Sequence, residues 1–460
     1  MLPHEYRSQE AMSFALLRKG LLAMMAALAV SCGGGSPGSG QASSQSTAVT
    51  VPAPSQGLAG DAANFSAGEP GTGIGGIAAE DGSTTTAAAS GGGGDDSSGV
   101  GSGGTGVSTG GGTGVGAVDG AGSVIVIGLR YDTRTAVGQL EDAPSGLQLG
   151  MTVKVIGPVN ADFTRGVARR IESAAELRGP VDWVNVAEGR FAILGTTVKT
   201  DEATVWADMP GPGAIRTGST LQVWGLPAAP GVLLATRIEQ RGAASAILTG
   251  TVQNLNALHS NFTLGSIVVD YSGAPPFASP DAGPLANGML VRVRGDAVAT
   301  ARFRARQVQS WYPLPRAETT IAQFAGTVTD FAGLASLRVL GFPVDASAVL
   351  VTGGPPGSVG NGVKVEVGGV VVGGVLRASK FMIRNVPGAG GPASFRLIGH
   401  IGEFSSTSDF RVRGQAINAA NPDVVFINGR PEDLARGVRV DVRGSHVVNG
   451  VLMAQTISFD

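Results

Sequence analysis

An eight-residue pattern that recurs five times constrains the fold of this chain more than any other feature. Two glycines enclose alternating apolar and polar residues, as in Gly437-Val-Arg-Val-Asp-Val-Arg-Gly444. The third and fifth residues after the first glycine are aliphatic in every copy, and a polar residue stands between them. Alternation with a period of two is typical of a half-buried β strand. The five copies span residues 150–157, 218–225, 288–295, 362–369 and 437–444.

Three further landmarks accompany each copy of the pattern and define a repeat. A Gly-x-Val or Gly-x-Ile opening comes first, and an apolar strand that runs into glycine follows it. A closing strand carries alanine three residues before an aliphatic or aromatic residue. Each repeat therefore contains about five short strands, with glycine at the bends and little room for a helix. The openings begin at residues 116, 179, 250, 326 and 399.

These repeats predict an all-β chain. We expect a tandem array of about five small, five-stranded antiparallel, OB-like β-barrels after a disordered Gly/Ser-rich tether, because closure removes the edges that an isolated sheet leaves exposed. A small antiparallel sandwich and an SH3-like barrel are the alternatives. Short connections, above all between the first two repeats, favour docking between neighbours. The predicted repeats are residues 115–175, 176–241, 246–311, 322–385 and 394–460.

The N-terminal residues have the layout of a secretory signal peptide. Two basic residues precede an apolar run that is too short to span a bilayer. The predicted signal peptide covers residues 1–31, with Met12 as an alternative start. The run ends in Ala29-Val-Ser-Cys32, which resembles the lipobox of bacterial lipoproteins and implies lipidation of Cys32. An ordinary cleavage site is the alternative.

Residues 32–114 are predicted to contain the lipidated cysteine and a disordered linker. The segment is mainly Gly, Ser, Ala and Thr, holds many of the 73 glycines of the chain, and contains no Lys or Arg. Such a composition cannot bury enough apolar surface to offset the entropy lost on folding. Cys32 is the only cysteine, so no intramolecular disulfide can form.

The five repeats resemble the bacterial family known as domain of unknown function 5666. That family has the same Gly-x-Val opening, Phe-x-Val-x-Gly hairpin, Gly-x-x-Val-x-Val-x-Gly strand and Ala-x-x-Ile close, and the stretch Gly122–Asp132 is close to its first repeat. The resemblance covers approximately residues 114–460. It implies an exported, often lipid-anchored protein of Gram-negative bacteria with tandem domains, and it supplies no catalytic residues.

The chain lacks the residue patterns that catalysis and metal binding require. It has four histidines, no two of them at a metal-ligand spacing, and its one cysteine lies in the leader. The adjacent carboxylates Asp201-Glu202 and Glu432-Asp433 are expected in solvated turns and not in an acid/base pair. The sequence therefore predicts no enzyme activity, no catalytic residues, no metal and no cofactor.

Three tryptophans in repeat 2 are the first candidates for ligand contact. Trp183, Trp206 and Trp224 would form a stacking platform for sugars, peptides or nucleotides if their rings were exposed. Trp224 follows the apolar residue Val223 and is expected on the opposite face of its strand. Packing against a neighbouring repeat is the alternative interpretation of these rings.

A basic stripe in repeat 3 is the second candidate. It includes Arg292, Arg294 and Arg304, which alternate along two strands and could bind the phosphates of an envelope polymer. A charged face that prevents pairing at an outer strand is the alternative. No nucleic-acid partner is expected, because residues 116–460 carry 30 basic and 27 acidic side chains, a net charge of only +3, and the predicted location holds little nucleic acid.

Together these features predict a non-enzymatic envelope lipoprotein that acts as a binding or scaffolding module. The expected partners are a membrane, through the lipid on Cys32, and an envelope polymer or protein. The expected location is the outer membrane, facing the periplasm or the cell surface. A periplasmic ligand carrier or enzyme accessory subunit with an aromatic groove in repeat 2 is the alternative, and a hydrolase with carboxylate chemistry is a third. Ligand and oligomeric state are not predicted.

Overall fold

Thirty β strands and three single-turn 3-10 helices make up the part of the chain that the structure describes. This computed structural model describes residues 111–121, 123–242, 244–275, 277, 283–385 and 395–460. The predicted signal peptide, Cys32 and the linker up to residue 110 lie outside the described residues. Among the described helices, none is long and apolar enough to cross a membrane.

The strands fall into five successive groups, which we number as repeats 1 to 5. Repeat 1 contains β1 (Gly112–Ala121), β2 (Val124–Val126), β3 (Leu129–Asp132), β4 (Val137–Leu140), β5 (Thr152–Gly157), β6 (Arg165–Val167) and β7 (Arg170–Ser173). Repeat 2 contains β8 (Leu177–Asn185), β9 (Arg190–Ile193), β10 (Thr196–Lys199), β11 (Val205–Trp206), β12 (Thr220–Ala229) and β13 (Val232–Gln240). Repeat 3 contains β14 (Ala246–Asn256), β15 (Asn261–Leu264), β16 (Ile267–Asp270), β17 (Leu290–Ala299) and β18 (Arg302–Ser310).

Repeats 4 and 5 contain six strands each, as repeat 2 does. Repeat 4 contains β19 (Ile321–Thr329), β20 (Leu337–Val339), β21 (Phe342–Asp345), β22 (Val351–Thr352), β23 (Lys364–Val372) and β24 (Val375–Asn385). Repeat 5 contains β25 (Phe395–Ser406), β26 (Asp409–Val412), β27 (Gln415–Asn418), β28 (Val425–Ile427), β29 (Arg439–Val448) and β30 (Val451–Phe459). The 3-10 helices are Pro212–Ala214, Pro356–Ser358 and Pro431–Asp433. The predicted all-β class, the tandem repeats and the near absence of helix are confirmed.

Each repeat mixes antiparallel and parallel pairing. In repeat 3, β14 pairs antiparallel with β15 and with β17, and β15 pairs antiparallel with β16. The last strand, β18, then pairs antiparallel with β17 but parallel with β16. The corresponding strands of repeats 2, 4 and 5 also pair parallel: β10 with β13, β21 with β24 and β27 with β30. The prediction of purely antiparallel repeats is therefore wrong.

The prediction of separate OB-like barrels is also wrong, because hydrogen bonding continues from one repeat into another. Strand β1 pairs parallel with β19 of repeat 4 and with β25 of repeat 5. Strand β8 of repeat 2 pairs with β14 of repeat 3. Repeats 1, 4 and 5 thus share one 19-stranded sheet, and repeats 2 and 3 share one of 11 strands. The sheets run on from repeat to repeat, as in a β-solenoid, and no repeat stands as a separate barrel.

Hydrogen bonding continues between repeats because the opening strand of repeat 1 is long and has two edges to pair. The ten-residue strand β1 is covered along one edge by β5, at Gly112 to Ala117. Its other edge at Gly112 to Val115 would be left with unpaired amide and carbonyl groups, and β19 pairs with it there. An exposed edge of this kind invites pairing with another strand. Here the partner comes from another repeat of the same chain.

The two glycines of the recurring pattern have different structural roles. The first has a positive φ, between +80° and +88°, in all five repeats, and L side chains adopt this conformation only at a cost. The second lies where a neighbouring strand approaches closely, because a Cβ there would overlap a backbone carbonyl oxygen of the closing strand in repeats 2 to 5 and of β6 in repeat 1. In repeats 2 to 5 the strand register shifts at this glycine, as at a β-bulge.

The alternating aliphatic residues of the pattern form the centres of two hydrophobic cores. One core contains Val153, Val365 and Val440 of repeats 1, 4 and 5. The other contains Leu221 and Val291 of repeats 2 and 3. Each of these five side chains has at most 1% of its surface exposed, so the inward face predicted from the alternation is present in all five repeats.

Candidate functional site

A fully buried carboxylate lies where repeats 1, 2 and 3 meet. Glu176 stands between β7 and β8 and has no exposed surface. Its oxygens accept hydrogen bonds from the Thr152 hydroxyl at 2.7 and 2.8 Å, from the Gly225 amide at 2.8 Å and from the Trp311 indole N–H at 3.0 Å. Arg292 forms an ion pair with it at 3.0 Å. One side chain thus binds donors from three repeats and from the segment after β18.

Tyr312 completes the surroundings of this ion pair. The Arg292 guanidinium lies 5.0 Å from the centre of the Tyr312 ring, which favours the cation electrostatically. The Tyr312 hydroxyl donates to the carbonyl of Thr152 at 3.2 Å and accepts from the amide of Ala174 at 2.9 Å. Burial raises the pKa of Tyr312 to about 12, so its hydroxyl is neutral and can serve as a donor at physiological pH.

The environment of Glu176 indicates a structural role. Burial raises the pKa of this carboxyl, and Arg292, Thr152, Gly225 and Trp311 act in the opposite direction. Its donors leave no open face towards solvent, because Thr152 and Arg292 are also buried, at 0% and 4% exposure. A general acid or base must reach a substrate. We therefore assign this cluster to holding the repeats together.

A second ionic cluster joins the same three repeats nearer the surface. Asp142 of repeat 1 forms ion pairs with Arg178 of repeat 2 and with Arg294 of repeat 3, the latter at 2.6 Å. Arg294 also pairs with Glu141 at 2.8 Å. Burial alone would raise the pKa of Asp142, but the charges and hydrogen bonds of Arg294 and Arg178 outweigh it and lower that pKa. Arg178 further donates to the Gln222 side chain at 2.7 Å.

The tryptophans of repeat 2 do not form one surface. Trp224 has no exposed surface and lies in the core of repeats 1, 4 and 5, whereas Trp206 is 7% exposed and lies in the core of repeats 2 and 3. Only Trp183, with 44% exposure, could present its ring to a ligand. An aromatic groove built from all three rings does not fit this placement. The Trp224 side chain lies on the face of β12 opposite to Val223, as the alternation predicts, but a neighbouring repeat buries it.

The arginines of repeat 3 are also divided. Arg292 pairs with Glu176 in the connection between repeats 1 and 2, and Arg294 pairs with Glu141 and Asp142 of repeat 1. Arg304 is exposed. A continuous basic stripe for a polymer would need all three guanidinium groups on one open face. The structure does not bring them together in that way, because two of them neutralise acids that burial would otherwise leave uncompensated.

An open groove lies between repeats 2, 3 and 4. Its main part has a volume of about 830 Å³, and an adjoining part of about 550 Å³ extends towards Trp311 and Leu314. We call both parts together the inter-repeat groove. Volumes of this order are typical of sites for small molecules. The two parts share Gly288, Leu290, Arg338, Leu340 and Gly341.

The main part of the inter-repeat groove is lined largely by apolar atoms, and charged side chains stand at its edge. The turn between β12 and β13 contributes the segment Pro227 to Val232 and also Leu234. Lys199, Asp330 and Arg338 provide charges at the edge, and the last two form an ion pair at 3.4 Å. The sequence did not predict this groove, because its lining comes from three repeats. The only local signal is Pro227-Ala-Ala-Pro230 at a hairpin end.

The structure offers no metal centre within the part of the chain that it describes, since no group of three or more His, Cys, Asp or Glu side chains is arranged to hold an ion there.

Residues 178–239, 249–309 and 399–458 match the model of a family described as domain of unknown function (DUF5666). These segments fall on repeats 2, 3 and 5. Comparison with curated proteins finds no match.

Proposed function

The chain carries tandem domains of the DUF5666 family, and from this premise we propose that it is a non-enzymatic binding module whose ligand occupies the inter-repeat groove. The observation that carries the proposal is the groove itself, a cleft whose main part is largely apolar and has charged residues at its edge. Strand pairing joins repeats 2 and 3. Repeat 4 pairs with repeat 1, and the ion pairs of Asp142 connect repeat 1 to repeats 2 and 3. Pre-organised clefts bind with little loss of conformational entropy.

The lining favours an amphipathic ligand. Apolar side chains such as Val232, Leu234 and Leu290 can bury an apolar segment, and Lys199 and Arg338 can contact an anionic or polar end. This chemistry suits a ligand carrier or an accessory subunit as well as a scaffold. The proposed contact lies between the repeats, away from the tryptophans of repeat 2.

Binding of 8-anilinonaphthalene-1-sulfonate, an apolar aromatic anion, tests the proposal. We expect a saturable rise in dye fluorescence. Ala229→Phe places a ring in the groove and should weaken binding by roughly tenfold, a loss of about 1.4 kcal/mol. The matched control is Ala299→Phe, at the equivalent position of the β17–β18 hairpin and outside the groove. Equal affinity of both variants and the native protein would reject the groove as the site.

We further propose that the module is tethered to the outer membrane through a lipid on Cys32. The support is the leader sequence alone: an apolar run, a lipobox-like Ala29-Val-Ser-Cys32 and a long polar linker. A lipid-anchored chain behind such a linker would present its repeats to the periplasm or the cell surface. An envelope polymer or protein is then the expected class of partner.

Fractionation of a Gram-negative host that expresses the full chain tests the anchor. The native protein should sediment with membranes, and globomycin, which blocks processing of lipoprotein signals, should leave a larger precursor. Cys32→Ser removes the only thiol that can be lipidated and should release the protein from the membrane fraction. Ser31→Ala keeps a small residue before the cysteine and should sediment normally. Membrane association of Cys32→Ser would contradict the anchor.

A further inference from the structure

A small cavity lies where repeats 1, 2 and 5 meet, and the inter-repeat groove shares no residue with it. It has a volume of about 200 Å³. Buried Leu147, Leu149 and Leu397 contribute to its lining. The adjacent pairing of β1 with β25, at Ala121 and Leu397, joins repeat 1 to repeat 5 at this point. The cavity is therefore formed by strands whose relative positions are set by hydrogen bonds.

Among the described residues, three guanidinium groups and no carboxylate line the cavity. Arg237 comes from β13, and Arg411 and Arg413 come from the hairpin of β26 and β27. Glu239 pairs with Arg237 at 2.6 Å and Glu403 pairs with Arg411 at 3.2 Å, and neither carboxylate is part of the lining. The Glu403 pair is largely solvent-exposed, and exposed ion pairs of this kind contribute little free energy.

Hydrogen bonds to three neighbouring residues hold the Arg237 guanidinium in place. Its guanidinium donates to the carbonyl of Leu149 at 3.0 Å and to the side-chain oxygen of Gln148, in addition to Glu239. Only 6% of its surface is exposed. Burial lowers the pKa of Arg237 even though Glu239 opposes that change. Glu239 also pairs with Arg241 at 2.5 Å, so one carboxylate serves two guanidinium groups, and a bound anion would add negative charge at this point.

We propose that this cavity is a binding site for a tetrahedral oxyanion of the phosphate class, as the free ion or as the phosphate of a monoester. Guanidinium groups match such oxyanions in both charge and hydrogen-bond geometry. The volume admits the ion together with a few waters, each of which takes up about 30 Å³ in the liquid. The Gln415 side chain, which donates to the carbonyl of Gly450 at 2.7 Å, closes one side of the cavity.

The bound anion would connect three repeats. Arg237 belongs to repeat 2 and Arg411 to repeat 5, and residues of repeat 1 line the space between them. A ligand that binds the folded state alone stabilises it in proportion to the logarithm of its concentration. Phosphate is therefore expected to raise the melting temperature of the full chain, and this effect should weaken as ionic strength increases.

Isothermal titration of the full chain with inorganic phosphate, and separately with glycerol 3-phosphate, tests the proposal. We expect one saturable site for at least one of the two ligands. Tighter binding of inorganic phosphate would identify a free ion, and tighter binding of the ester a phosphate on a larger molecule. Both results support the site, whereas absence of saturable binding of either ligand at low ionic strength would overturn it.

Two variants distinguish the cavity from general surface charge. Arg411→Gln should weaken binding about fivefold or more without unfolding the protein, because its ion pair with Glu403 is exposed. Arg413→Gln should have a similar effect, and circular dichroism checks its fold because its Nε donates to the carbonyl of Ile398. The control is Arg443→Gln, an exposed arginine of repeat 5 outside the cavity. Equal affinity of all three variants would overturn the assignment.

Discussion

Glu176→Ala is expected to lower the free energy of unfolding by about 3–5 kcal/mol, the usual range when one partner of a buried ion pair is removed. The substitution leaves the Arg292 guanidinium buried without its carboxylate, and it leaves the Trp311 indole N–H and the Gly225 amide without an acceptor. Chemical denaturation, followed by tryptophan fluorescence, measures the effect. We expect the midpoint to shift towards lower denaturant concentration.

Two comparisons separate the loss of the ion pair from a general effect of removing a carboxylate. Glu188→Ala removes an exposed acid that pairs with Arg190 and should change stability by less than about 1 kcal/mol. The double variant Glu176→Leu with Arg292→Met removes both buried charges and should recover part of the lost stability, because no charge is then buried without its partner. The Trp311 indole N–H and the Gly225 amide still lack an acceptor, so the recovery should be incomplete. A Glu176→Ala protein as stable as Glu188→Ala would contradict the structural role of this cluster.

Gly444→Ala is expected to cost about 1–3 kcal/mol of stability through overpacking of the β29–β30 hairpin. A Cβ at this position would overlap the carbonyl oxygen of Met453 and would also approach the Leu452 side chain. Backbone on the partner strand cannot move aside without breaking the register on either side of the bulge. Thermal unfolding of the purified chain should show a lower melting temperature.

Gly402→Ala in the same repeat is the matched control. A Cβ at Gly402 meets nothing within 4 Å, and this glycine is not among those with positive φ. Replacing glycine by alanine in such a strand should be neutral or stabilise by up to about 1 kcal/mol, because the unfolded chain loses freedom. Equal melting temperatures for Gly444→Ala and Gly402→Ala would show that close approach does not explain the second glycine of the pattern.

Local chemistry made the strands of each repeat predictable. Alternation at Val440 and Val442 specifies which face of β29 is buried, and it does so from neighbours within the same strand. The glycines at 437 and 444 mark a positive φ and a close backbone approach, both of which depend on a few residues nearby. The sequence also predicted that the cores would be all-β, since no stretch of a repeat has helical periodicity.

The arrangement of the repeats could not be predicted in the same way. Edge pairing uses backbone groups that every residue has, so nothing in the residues of β1 specifies β19 and β25 as partners. For the same reason the prediction of separate barrels was wrong. The predicted outward face of β17 is outward only with respect to its own repeat. Arg292 on that face is buried against Ala174 and Glu176, in the connection between repeats 1 and 2.

By itself the sequence determined the strands, their inward faces and the positions that only glycine can occupy, because each depends on side-chain alternation or on steric limits within a few residues. Only the tertiary structure decided which repeats share a sheet, which charges are buried and where the groove and the arginine-lined cavity lie. These features arise from contacts between segments far apart in the chain, and no local periodicity encodes which segments meet.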